Sequence, residues 1–188
     1  MNQYSIEKVA NAIIFFLDSG VENFGKTKLM KLMFFADKYH LQNYMKSIFA
    51  DTYMKLPFGP VPTLTLGTID SINEFERDDF EVYVNEFLSF IIVNEQYDGK
   101  YKKTTFSKKQ EFDKNLFSIS EMEILQKVAS DFKTHTANQI SQYSHSLDEY
   151  KYTNDNEVID IITMAPEHKE YFEMIAKENK TFNEFLNR

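Results

Sequence analysis

Cysteine and tryptophan are missing from this 188-residue chain, and proline and glycine are scarce, at four and five residues. Without cysteine there can be no disulfide, no thiolate zinc site and no cysteine nucleophile, and a cytoplasmic location is the default expectation. Long apolar runs are lacking too. The longest, Ala12–Leu17 (AIIFFL), is too short to span a bilayer, and the charged Glu7, Lys8 and Asp18 around it do not suit a signal peptide. Positive charge is in deficit: the formal net charge is −8, and of the 21 basic residues only Arg77 and Arg188 are arginine. A general duplex-DNA binder needs a basic face to displace counterions, so this balance speaks against nucleic acid and favours a basic protein partner.

What the chain does have is material for a core. Hydrophobic residues make up 43% and aromatics 15%, with 18 Phe and 11 Tyr, so burial alone can fold it. Length and composition fit one domain over residues 1–188.

Helical periodicity is strongest at the start. In Ser5–Asp18, Ile6, Val9, Ala10, Ile13, Ile14 and Leu17 recur at three- and four-residue steps, with Gly20 placed to end the helix. In Thr27–Gln42 the stripe is Leu29, Leu32, Met33, Ala36 and Tyr39, with Lys28, Lys31 and Lys38 as the polar positions. These two helices are expected to pack antiparallel. Ser47–Phe58 then reads as one or two strands ending at a corner, and Thr63–Phe75 as a helix begun by Pro62. Leu88–Val93 reads as strand, and Asp98–Gly99 as a turn into another strand. Capping-box spacings at Ser120/Glu123 and Thr136/Gln139 predict two later helix starts. A polar link, Lys151–Glu157, precedes a terminal helix from Pro166 and a short one near Phe182–Leu186. The fold class expected is α+β, mostly helical, with a small antiparallel sheet.

Catalytic signatures are absent. His40, His135, His145 and His168 show no metal-ligand spacing, and there is no HExxH, GxSxG, P-loop or GxGxxG. The histidines read as core or helix-end residues, and the acids Glu76–Asp79 and Asp148–Glu149 as solvated. Lys100–Lys109 carries five lysines around Tyr101 and Phe106. That pattern fits an edge strand guarded by lysine better than a single-strand nucleic-acid platform. No cofactor and no metal are implied, and the chain reads as a non-catalytic binding module.

One stretch stands apart. Three of the four prolines, Pro57, Pro60 and Pro62, lie within six residues around Gly59 in Lys55–Ile69 (KLPFGPVPTLTLGTI). Each fixes φ and removes a donor, which makes a rigid corner. Three blocks in order then resemble a known family. They are Val9–Asn11 with Leu29, Lys31, Leu32, Phe34, Ala36 and His40; Ala50 followed by Phe58–Pro62 (FGPVP); and the later helix pair ending at Ser144 and His145 with Glu149 after it. Together they are similar to the SocA-like antitoxins, the Panacea domain, also known as phage-associated GepA-like proteins. The resemblance runs from about residue 9 to 151, leaving 152–188 as a C-terminal helical extension. The chain departs from the family in lacking its usual Trp positions.

The resemblance implies an antitoxin that neutralises a protein toxin by direct contact, and in the best-known type one that delivers its toxin to a ClpXP-like protease. Family-signature positions are Lys31, Leu32, Gly59, Pro60, Val61, Pro62 and His145, mostly structural; Phe34, Phe35, Tyr44 and Phe58 are candidate partner anchors. The rival readings are a non-catalytic phage or mobile-element protein that binds and regulates a host defence factor or enzyme, and an enzyme built on His145, His40 and a nearby carboxylate.

Overall fold

The structure, a computed structural model, describes residues 3–73, 78–99 and 101–186. Helix α1 (Ile6–Asp18) starts at Ser5, whose hydroxyl accepts from the Lys8 amide at 3.3 Å. It buries Ile6, Val9, Ala10, Ile13 and Ile14 as the periodicity predicts, together with Phe16. Asn11 is buried as well, because its side-chain oxygen accepts from the Asp113 amide at 3.0 Å. A polar group inside a core is tolerated when it is bonded in this way.

Helix α2 (Lys26–Tyr44) departs from the sequence reading. Lys28, Lys31 and Lys38 are not its solvent face: all three are buried, along with Asp37 and His40. The helix is surrounded on all sides, so no single apolar stripe defines it. Nor do α1 and α2 form the main antiparallel pair, since α1 packs chiefly on α4 and β4, and α2 on α5, β2 and α6.

After α2, Asp37 takes the amides of Ile48 and Phe49. This bends residues 47–52 into a loop and leaves only β1 (Tyr53–Leu56) as strand, against the longer strand read from Ser47. β1 pairs antiparallel with β2 (Gly59–Pro62), from Tyr53↔Pro62 to Leu56↔Gly59, with Pro57 and Phe58 at the turn. The other side of β1 carries a bridge, Met54↔Val158. Helix α3 (Thr63–Asp70) follows at once, with Asp51 accepting from the Leu64 and Thr65 amides at its start. Ser71–Asn73 adds a 3₁₀ turn; Phe75, the expected helix end, lies outside the described residues.

Helix α4 (Glu81–Phe90) takes in Leu88–Phe90, and strand begins only at Ile91. Tyr83 and Phe87, one helical turn apart, pack inward and override the β-branched character nearby. β3 (Ile91–Asp98) and β4 (Tyr101–Lys108) form a second antiparallel ribbon, so the small sheet expected is two separate two-stranded ones. On it, Lys102 pairs with Glu95 at 2.6 Å and Lys108 with Asp18 at 2.8 Å, which neutralises part of the lysine-rich patch.

Helix α5 (Ile119–Asp131) is capped two residues earlier than expected, by a reciprocal Ser118–Glu121 box. The Thr136–Gln139 box opens α6 (Ala137–His145) as read. Then come α7 (Asp148–Lys151), α8 (Ile161–Met164) and α9 (Lys169–Leu186), the last one continuous helix in place of two. The architecture is mostly helical α+β. Its centre is α2, where Phe34 and Phe35 meet Tyr53 and Phe132. Burying each such ring contributes roughly 1.5–3 kcal/mol.

Candidate functional site

Lys31, Gly59 and Ser144 meet in one place. Lys31 leaves the middle of α2, 1% exposed, and donates from Nζ to the Pro60 carbonyl at 2.8 Å. No carboxylate among the described residues pairs with it, and burial pulls its ammonium down to about 7. Gly59 has φ +100°, and a Cβ there would stand 2.7 Å from Ser144 Oγ and 3.0 Å from Lys31 Nζ. Both conformation and space therefore demand glycine.

Helix α6 grips the same turn. Ser141 donates to the Phe58 carbonyl at 2.8 Å, and Ser144 turns its hydroxyl back to the Ser141 carbonyl. From the far side, Tyr150 donates to the Leu56 carbonyl at 2.8 Å. His145 lies flat on the Tyr150 ring, centroids 4.5 Å apart, and Lys55 Nζ sits 4.8 Å from that ring. Burial, and then the charges of Lys31 and Lys55, push His145 down and favour its neutral ring, whose buried Nε2 has no hydrogen-bond partner among the described residues. The Pro-rich corner is thus a hairpin turn held by hydrogen bonds from the buried Lys31, Ser141 and Tyr150, with Ser144 packed against Gly59 and His145 stacked on Tyr150.

The chain matches the SocA-like antitoxin family with the Panacea domain over residues 29–151. It belongs to that family. No curated protein and no solved structure matches it. The match takes in the Lys31 helix, the Gly59–Pro62 strand and the Ser144–His145 helix end. It does not reach Val9–Asn11, the first part of the resemblance read from the sequence.

In this Panacea domain the signature positions fall together: Lys31, Gly59 and Pro60 are in contact, Val61 and Pro62 are buried in β2, and His145 closes the side. Leu32 is buried in the core. The candidate anchors divide. Phe34 and Phe35 are 0% exposed and present no surface to a partner, which corrects the sequence expectation for both; ring packing inside α2's surroundings is their role. Phe58, 76% exposed at the hairpin tip, and Tyr44, exposed at the end of α2, are on the surface. Tyr44 donates to Glu123 at 2.7 Å.

His40 and His145 do not form a shared centre. His40 bonds through Nδ1 to the Lys46 carbonyl, which places the proton on Nδ1, so Nε2 accepts from Ser120 Oγ at 3.1 Å. Among the described residues, neither ring hydrogen-bonds a carboxylate. Glu149, read as solvated, is instead buried, its Oε1 2.5 Å from Lys38 Nζ in an ion pair without a well-angled hydrogen bond. Asp37 escaped the sequence reading altogether. It is fully buried, accepts from Ile48, Phe49 and the Tyr53 hydroxyl (2.8 Å), and is pushed up to about 7 by burial against those donors. The available signal was the density of charge inside KLMKLMFFADKYH, where no face is left wholly apolar.

Proposed function

We propose that this protein neutralises a protein toxin by direct contact, with no chemistry of its own. Membership of the SocA-like antitoxin family over residues 29–151 carries the reading. The buried polar joint around Lys31 supports it as a scaffold, because a single well-determined shape is what a binding surface requires. The net charge of −8 favours fast capture of a basic partner through electrostatic steering. Phe58 is the foremost aromatic anchor, since it projects from a turn whose backbone is fixed on both sides. Delivery of the captured toxin to a ClpXP-like protease is a subordinate proposal.

Co-expression with the neighbouring open reading frame tests the reading. The neighbour should arrest growth alone and become harmless beside this protein, and the two should co-purify. A neighbour that is harmless alone, or lethal in both cases, removes it. The protease role predicts faster toxin turnover when this protein is present, measured by chase after translation arrest.

A further inference from the structure

A cleft of about 440 Å³ opens beside β1, and its two walls have different origins. One wall is Asp37, Leu41, Asp51 and Tyr53, inside the family-matched residues; the other runs from Val158 to Met164, beyond them. Leu41, Val158, Ile159, Ile161 and Met164 give it apolar lining. Val158 and Ile161 are 55% and 41% exposed, whereas Ile159 and Met164 are buried. Among the described residues, those that line it include three aspartates and no Lys, Arg or His. Asp51 accepts from the amides at the start of α3 and Asp160 from the Ile162 amide, but neither forms an ion pair among the described residues, so both carboxylates are answered by neutral donors and no cation. Asp37 lies fully buried behind them, its oxygens taken by Ile48, Phe49 and Tyr53.

The backbone contributes as well. Glu157 accepts from Lys55 and Ile159 donates to Tyr53, so residues 157 and 159 face β1. Successive amides in an extended segment alternate in direction, so that of Val158 turns away from β1 and is available to another chain.

We propose that this cleft is the docking groove for an extended segment of the toxin in which lysine or arginine alternates with aliphatic residues. The aliphatic side chains would cover Val158 and Ile161, and the cations would answer Asp51 and Asp160. Charge complementarity selects this occupant: an acidic or neutral segment would bring no cation to two carboxylates that have none, and a second copy of this acidic chain would oppose them. A shared wall from the Panacea domain and a second wall from residues outside it would let related antitoxins keep one scaffold and change partner. The inference rests on the antitoxin reading for the identity of the occupant, but not for its chemistry.

The test uses the full ¹⁵N-labelled chain and two probe peptides, acetyl-Leu-Lys-Leu-Lys-Leu-amide and its glutamate counterpart. The lysine peptide should shift amides of Thr52, Tyr53 and residues 158–164, and the glutamate peptide should not. Ile161→Lys and, separately, Val158→Lys should weaken both peptide and toxin binding at least tenfold, whereas Ile119→Lys, at an almost fully exposed site on α5, should change neither. Two cleft variants guard against one that fails to fold. Equal response to both peptides, shifts located elsewhere, no shift at all, or full toxin affinity in a folded cleft variant would each overturn the proposal. If the wild-type chain binds no neighbouring toxin, the antitoxin reading and the identity of the occupant fail together, and the peptide pair still decides whether the cleft takes a cationic segment.

Discussion

The ammonium of Lys31 is answered by the carbonyl oxygen of Pro60, 2.8 Å away, and by no carboxylate among the described residues. A proline carbonyl is a fitting partner: Pro60 gives up no donor to the hairpin, and its φ is fixed before Lys31 arrives. The bond ties the central helix to the hairpin at the point where Gly59 leaves no room for a side chain. One hydrogen bond does not replace the hydration of an ammonium, so the joint carries an electrostatic cost that depends on pH.

Replacing Lys31 by Met exposes that cost. The folded state holds Lys31 at about 7, the unfolded chain near the ordinary 10.5. Between those values the unfolded state binds more protons, so stability rises with pH through that window, by at most about 1.4 kcal/mol per pH unit. Below pH 7 the penalty is complete. Urea melts of both proteins at pH 6, 8 and 10 should show Lys31→Met gaining most, relative to wild type, at pH 6 and losing that advantage by pH 10. A difference that does not change with pH would show that Lys31 is not desolvated.

Why the lysines of α2 misled the periodicity follows from where their partners lie. Lys28 donates to the carbonyls of Glu22 and Lys133, Lys31 to that of Pro60, and Lys38 to that of Met164. Periodicity is local information, and three of these four partners are distant in the chain. Signals that are local were legible: the stripe of α1, the Thr136–Gln139 box and the Gly-Pro corner all stand where the residues place them. The cleft was not legible, because its outer wall joins β1 from a segment distant in the chain, around the Met54↔Val158 bridge, with no hairpin turn to announce it.

Gly59→Ala should be strongly destabilising, and Gly99→Ala only mildly. Both glycines have positive φ, +100° and +59°, but a Cβ at Gly99 meets nothing within 4 Å while one at Gly59 strikes Ser144 and Lys31. Backbone strain alone costs roughly 1–3 kcal/mol. Gly99→Ala should fall at the low end of that range and Gly59→Ala above it, as read by thermal melts. Equal losses would mean that the crowding at Gly59 relaxes freely.

Glu121 makes the fold sensitive to acid. Burial favours its protonated form, but the Lys8 ammonium at 2.6 Å and the bonds with Ser118 outweigh it and hold the carboxyl below its usual range. A depressed carboxyl contributes stability that is present above the unfolded value of 4.5 and is lost as pH falls through the folded one. Glu121→Gln should therefore be less stable than wild type at pH 7, and the gap should close below pH 4.5. A gap that stays constant down to pH 3 would place the effect in helix capping alone.

Phe58 and Phe35 should separate binding from folding. Phe35 is fully buried against Phe132 at a centroid distance of 4.8 Å, and Phe35→Ala should cost roughly 3–5 kcal/mol of stability. Phe58 projects into solvent from the hairpin tip, so Phe58→Ala should change stability by no more than about 0.5 kcal/mol. If that ring is an anchor for the toxin, its loss should weaken binding by at least about 2 kcal/mol, close to thirtyfold, in a calorimetric titration of the purified pair. Unaltered affinity with an unaltered melting temperature would leave Phe58 as an exposed turn residue, and the contact surface would then have to be sought elsewhere, first at Val158 and Ile161.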